Sequence, residues 1–158
     1  MTRTTAKEYL SQIKKLDALI DNKLVEVEHW KAVAAGITSF SDGERVQSTG
    51  SKQKMEDAVA RYMDMENEIN ADIDRLVGIR QEVIQTIEQL PWNEYDVLHK
   101  IYVQGLGFWD VADSYRPPKS YTWTTTIHGR ALVGLQRILD EREKHEKSEE
   151  TKKKESEA

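Results

Sequence analysis

The stretch TAKEYLSQIKKLDALIDNKLVEVEHWKAVAA, residues 5–35, decides the fold class. Its apolar side chains fall at Tyr9, Ile13, Leu16, Ile20, Leu24, Val27, Trp30 and Ala34, in steps of three and four. That spacing keeps one stripe on one face of an α-helix. Thr5, followed three residues later by Glu8, has the capping-box spacing for the start, and Gly36 is the expected stop. A second run begins near Met55 and carries Val59, Tyr62, Met65, Ile69, Ile73, Leu76, Val83, Ile87 and Leu90. Glu66 and Arg80 fall on its strict heptad line, so the seam is imperfect there. Each run predicts a helix of roughly 45–55 Å at 1.5 Å per residue. Narrow stripes on long helices need a partner, and the simplest arrangement is an antiparallel hairpin with coiled-coil packing.

Composition agrees with helices that are largely solvated. The chain has 158 residues, 38% hydrophobic and 32% charged, with a net charge of -5 and no cysteine. This is low in core and high in surface for a globular chain, which argues against a large single-core enzyme fold. The absence of cysteine excludes a disulfide scaffold, a thiolate zinc site, an iron–sulfur cluster and a cysteine nucleophile. No apolar run approaches the roughly 20 residues that span a bilayer. Met1-Thr2-Arg3-Thr4-Thr5 leads straight into the charged amphipathic pattern, so no signal peptide and no membrane partner are expected.

Residues 37–53 read as the loop of the hairpin, with Ser39, Ser41, Asp42-Gly43, Ser48, Thr49, Gly50 and Ser51. Gly50-Ser51-Lys52 lacks the full glycine spacing and the preceding strand of a phosphate loop, so nucleotide binding is rejected. Arg45, Gln47, Ser48 and Lys52 are donors that a turn does not require, and they are the candidates for partner docking. After Leu90-Pro91, the residues Trp92, Tyr95, Leu98, Ile101 and Tyr102 predict a short helix ended by Gly105 and Gly107. Phe108, Trp109, Val111 and Ala112 predict another, stopped by Arg116-Pro117-Pro118. Ser120 caps a third, which carries Trp123, Ile127, Ala131, Leu132, Leu135, Ile138 and Leu139. Short helix, glycine turn, short helix, turn and longer helix is the layout of a helix-turn-helix. The expected organisation is therefore all-α. A long helical hairpin occupies 1–90, for oligomerisation or partner docking. A helix-turn-helix domain follows over 91–140, and a charged tail over 141–158, disordered past about Ser148.

Nothing in the pattern points to catalysis. His29, His99, His128 and His145 have no second ligand at a metal-binding spacing, and no nucleophile elbow, metalloprotease helix or dinucleotide glycine motif occurs. No catalytic residue, metal or cofactor is expected, and the chain is not read as an enzyme. Charge distribution is more informative. Residues 1–90 carry twelve basic and sixteen acidic groups, and residues 91–140 carry five of each. Between Ser114 and Leu139, however, stand Arg116, Lys119, Arg130, Arg137 and His128 without a single acid. That stretch coincides with the third helix, whose N-terminal part enters the major groove in a helix-turn-helix. Trp123, Ile127 and Ala131 repeat at i,i+4 and are assigned to the core. Lys119, Ser120, Tyr121, Thr122, Thr124, Thr125, His128 and Arg130 are the candidate DNA contacts, through phosphates and thymine methyls.

The residues that carry this layout also carry a resemblance. The pattern Leu90-Pro91, Tyr95, Leu98, Tyr102, Gly105, Trp109-Asp110-Val111-Ala112, Ser120-Tyr121, Trp123 and His128-Gly129-Arg130-Ala131-Leu132 resembles DNA-binding region four of bacterial sigma factors. With Lys7-Glu8-Tyr9-Leu10-Ser11-Gln12-Ile13 and Arg45-Val46-Gln47-Ser48-Thr49-Gly50-Ser51-Lys52, the chain is similar to small phage-encoded sigma-region-four-like proteins of Gram-positive bacteria, the ArpU-type late transcription regulators. The resemblance covers about residues 6–139. Two features depart from it: Ser114–Lys119 is longer than the sigma-factor turn, and Asp110 replaces the usual glutamate. It implies a regulator of phage late transcription in the bacterial host that binds duplex DNA and host RNA polymerase. Composition adds the expectation of a cytoplasmic protein, and apolar stripes beyond what one hairpin seam needs add that of a homo-oligomer. Two other readings compete. One is an interaction module that inhibits a host protein without specific DNA binding. The other is a phage DNA-packaging adaptor, against which the order of the two parts counts.

Overall fold

A computed structural model describes the backbone of residues 4–40 and 49–157, and among them every regular element is helical. The first helix, α1, spans Ala6–Phe40 and α2 spans Thr49–Ile87. α3 covers Trp92–Leu98 and continues as a π-helical turn, His99–Val103. α4 is Phe108–Asp113 and α5 is Tyr121–Ser156. None of these helices is long and apolar enough to cross a membrane.

The start of α1 is built as the sequence predicts. The Thr5 amide donates to the Glu8 carboxylate at 2.9 Å, and the Glu8 amide donates to the Thr5 hydroxyl at 3.2 Å, a reciprocal capping box. The expected end differs: α1 passes through Gly36 to Phe40. A mid-helix glycine costs only about 1 kcal/mol, which a helix of 35 residues tolerates. α2 likewise begins at Thr49 rather than near Met55, so both helices extend into the 37–53 segment assigned to the loop. The last helix is also longer than expected. It reaches Ser156 where disorder was expected past Ser148, supported by Lys147–Glu143 and Lys154–Glu150 ion pairs one turn apart at 2.6 and 2.9 Å.

The helices divide into two compact units, Met1–Lys14 with Ile79–Ala158, and Lys15–Gly78. In the second of these, Leu16, Ile20, Val27 and Ala34 of α1 and Ala58 and Ile69 of α2 are buried. Lys23 pairs with Asp72 at 2.6 Å and Lys31 with Glu66 at 2.9 Å, so rising numbers on α1 meet falling numbers on α2. Asp72 is itself buried, and a buried charge is tolerated only when paired; Lys23 and Arg75 supply the pairing. Leu24 and Ile73, both on the predicted stripes, are exposed, as are Leu19 and Val77.

The other unit gathers sequence-distant pieces. Tyr9, Leu10 and Ile13 of α1, Val83 and Ile87 of α2, Leu90, Val97, Leu98, Val111, Ala112, Ile127, Ala131 and Leu135 are all buried. The Ala6 amide donates to the Gln136 side-chain oxygen at 2.7 Å, tying the first turn of α1 to the middle of α5. Beneath it lies a buried polar node. Arg142 donates to the Thr86 hydroxyl at 2.7 Å, and Thr86 donates to the Glu82 carbonyl at 2.8 Å. With its single hydrogen thus used, Thr86 accepts from the Tyr9 hydroxyl at 3.0 Å. Burial pushes the Tyr9 pKa up.

Candidate nucleic-acid interface

The part of the chain that carries the candidate contacts is shaped by two turns. After the π-helical turn, Gly105 adopts φ +76, the left-handed region that favours glycine, and the Leu106 amide returns to the Lys100 carbonyl at 2.9 Å. After α4, the Lys119 amide closes on the Ala112 carbonyl at 3.0 Å. Ser120 then caps α5, its hydroxyl accepting from the Trp123 amide at 3.0 Å. Val97, Val111 and Ile127, with Ile101, Leu106, Tyr115 and Trp123 around them, form the core that joins α3, α4 and α5.

The second turn is clamped to α3. The Tyr115 hydroxyl donates to the Asp96 carboxylate at 2.5 Å, Lys100 pairs with the same carboxylate at 2.8 Å, and the Lys100 ammonium lies 4.0 Å from the Tyr115 ring centroid. Burial and the neighbouring Asp96 charge push the Tyr115 phenol far up, so it stays a donor across the physiological range. The Tyr115 ring meets Trp123 edge-on at 5.3 Å. Ser114–Lys119 is thus a held structure, and it fixes the entry of α5.

The candidate DNA contacts separate into three groups. Lys119, Ser120, Tyr121, Thr122 and Arg130 are exposed. Lys119 lies over the Trp123 ring at 5.3 Å, which holds the ammonium beside the helix start. Thr125 is half-buried, and its hydroxyl donates to the Thr122 carbonyl at 3.0 Å, leaving acceptor capacity and a methyl group. Thr124 and His128 need correction. Thr124 has no exposed surface, and its hydroxyl donates to the Ser120 carbonyl at 3.2 Å, so it is a core residue. His128 is half-buried, stacked with Tyr102 at 5.7 Å and hydrogen-bonded to its hydroxyl at 2.8 Å, with Phe108 edge-on at 5.0 Å. Burial, with a smaller contribution from Lys7, lowers its pKa, so it carries no cation to a phosphate at neutral pH.

Residue-type reasoning missed Thr126 and Arg137. Both are exposed, and Thr122, Thr126 and Arg130 follow at i,i+4 along one side of α5. It also missed Trp109 on α4, which is 66% exposed and lies 4.8 Å from the Tyr121 ring. Of the docking candidates, Arg45, Gln47 and Ser48 lie outside the described residues, and Lys52 is exposed in the early turns of α2. No group of three His, Asp or Glu side chains able to hold a metal is present among the described residues.

Compared with protein-family models, curated proteins and solved structures, the chain gives no match.

Proposed function

We propose that the chain is a transcription regulator that binds duplex DNA, with α4, the 114–120 turn and α5 acting as a helix-turn-helix and no catalytic step. The observation that carries this reading is the side of α5 formed by Thr122, Thr126 and Arg130. It is exposed, it follows a Ser120-capped helix start flanked by Lys119, and no acid occurs from Ser114 to Leu139. A duplex presents closely spaced negative charge, and neutralising it with Lys and Arg releases counterions. Threonine methyls and acceptor oxygens on the same surface suit base edges in the major groove. The sequence resemblance to phage late-gene regulators is the support for host RNA polymerase as a second partner. In the same proposal α1 and α2 form an antiparallel helical hairpin that self-associates. Its support is the opposed order of the Lys23–Asp72 and Lys31–Glu66 pairs and the exposure of Leu24, Ile73 and Val77.

The test is a fluorescence-anisotropy titration of the full chain against a random duplex pool at low and moderate salt. Binding should weaken as salt rises, and Lys119→Ala should lower the slope by about one while weakening all sequences alike. Absence of salt-dependent binding by the full chain would refute the proposal. The full chain is required because Tyr9, Leu10, Ile13, Val83 and Ile87 belong to the same compact unit as α3–α5.

A further inference from the structure

Five rings follow one another from half-buried to exposed positions on the π-helical turn, α4 and α5. Tyr102 stacks on His128, His128 meets Phe108, Phe108 meets Tyr121 at 6.0 Å, and Tyr121 faces Trp109 at 4.8 Å with the planes inclined by 34°. The inner members are anchored by the Tyr102–His128 hydrogen bond. The outer two emerge into solvent, with Trp109 66% and Tyr121 40% exposed. Water-facing aromatic rings of this size carry a hydration cost that burial against a partner removes.

We propose that Trp109 and Tyr121 form a two-ring apolar surface that receives the C5-methyl groups of thymine in duplex DNA, with Trp109 a specificity-determining residue. The inference rests on the DNA-binding reading above and names what that interface selects. Charge identifies the occupant. Tyr121 stands within the acid-free stretch from Ser114 to Leu139 and is preceded directly by Lys119 and Ser120, so a polyanion is favoured at this end of α5 over a neutral or basic protein face. The acids nearest in sequence are Asp110, beside Trp109, and Asp113, before the second turn; both are exposed, and a carboxylate oxygen of Asp110 lies 3.6 Å from the position a Cβ on Gly107 would take, at the opening of α4. Chemistry identifies the element recognised. Among groups in the major groove, the thymine methyl is the apolar one, and an aromatic face is matched to it. Burying one methyl is worth about 0.8 kcal/mol, or about fourfold in affinity.

The experiment compares two random duplex pools, one made with thymine and the other with uracil in its place, so that only the methyl differs. The full chain is titrated with each by anisotropy at one moderate salt concentration, then again as Trp109→Ala. The unmodified chain should bind the thymine pool about fourfold more tightly. Trp109→Ala should bring the two pools within about twofold while keeping the salt dependence. Trp109 is mostly solvent-exposed, so helicity by circular dichroism should be unchanged; if Trp109→Ala loses helicity, Trp109→Gln takes its place. A ratio below about twofold in the unmodified chain, or one of about twofold or more that survives the substitution, overturns the inference and leaves DNA binding standing. Salt-independent or absent binding to both pools instead removes the DNA reading and the inference with it. Full DNA binding and an undiminished thymine preference in Trp109→Ala would assign the ring pair to a protein partner.

Discussion

The Tyr9–Thr86–Arg142 node allows a double-mutant cycle whose outcome follows from the count of hydrogen atoms. Thr86 donates its one hydrogen to the Glu82 carbonyl and accepts from both Arg142 and Tyr9. Tyr9→Phe removes one donor and orphans nothing, because Thr86 keeps two partners. Its cost should be about 0.5–1.5 kcal/mol, the net worth of one hydrogen bond. Thr86→Val keeps the shape but leaves the O–H hydrogen of the buried Tyr9 without an acceptor, while its oxygen keeps the Arg142 guanidinium as a donor, at a desolvation penalty of about 1–3 kcal/mol. Arg142 adds little to that, since it retains Glu82 at 3.3 Å and is 39% open to water. In the double variant the stranded hydroxyl is gone. The double loss should therefore fall short of the sum of the single losses by about 1 kcal/mol. Urea unfolding of the full chain, followed by far-UV circular dichroism with the slope checked for constancy, measures all four corners. Additivity within about 0.3–0.5 kcal/mol, or a Thr86→Val loss smaller than that of Tyr9→Phe, would refute the assigned direction of these bonds.

Three further outcomes are expected. His128 has its pKa lowered by burial and by Lys7, and His99 by burial and Arg80, so the unfolded chain binds more protons just below the ordinary histidine value of 6.5. Stability should be fully present above that pH and fall as pH drops through the lowered folded values, and His128→Asn should flatten part of the slope in pH-dependent urea melts. Gly105→Ala forces an L side chain into φ +76 at about 1–2 kcal/mol without a clash, so Gly105→Asn should cost less; equal losses in thermal melts would contradict the strain argument. Leu135→Ala at a fully buried position should cost about 2–5 kcal/mol in the same unfolding assay, and a loss below about 1 kcal/mol would show that α5 is not packed there.

Where a helix buries one face against one neighbour, the sequence is legible. Ile13, Leu16, Ile20 and Val27 were predicted from spacing alone and are buried, and the caps at Thr5 and Ser120 form as their residue types suggest. Leu24 and Ile73 are exposed because a two-helix contact covers less arc than a stripe of this width. Thr124 was misplaced by residue type. It stands three positions from Ile127, only about 60° away at 3.6 residues per turn, and geometry outranks polarity when a hydroxyl can return to its own backbone. Trp109 was illegible for a different reason: α4 has six residues, too few for periodicity to tell its inner side from its outer one. The separation of α1 and α2 between two compact units also leaves no mark in a periodic pattern that continues unbroken across the boundary.

The hydrogen bond from Ala6 to Gln136 spans 130 positions of the chain. On a ribosome adding about 5–20 residues each second, roughly ten seconds separate the emergence of the first turn from that of its partner. Throughout that interval Tyr9, Leu10 and Ile13 have left the tunnel while the residues of α5 that complete their compact unit are still unmade. The Lys15–Gly78 unit draws only on chain already present, and so it can close first. Synthesis thus imposes an order in which the unit that contains α3, α4 and α5 is the last to become whole, and premature release between Gly78 and α5 yields a product with an assembled middle and two unsatisfied apolar flanks.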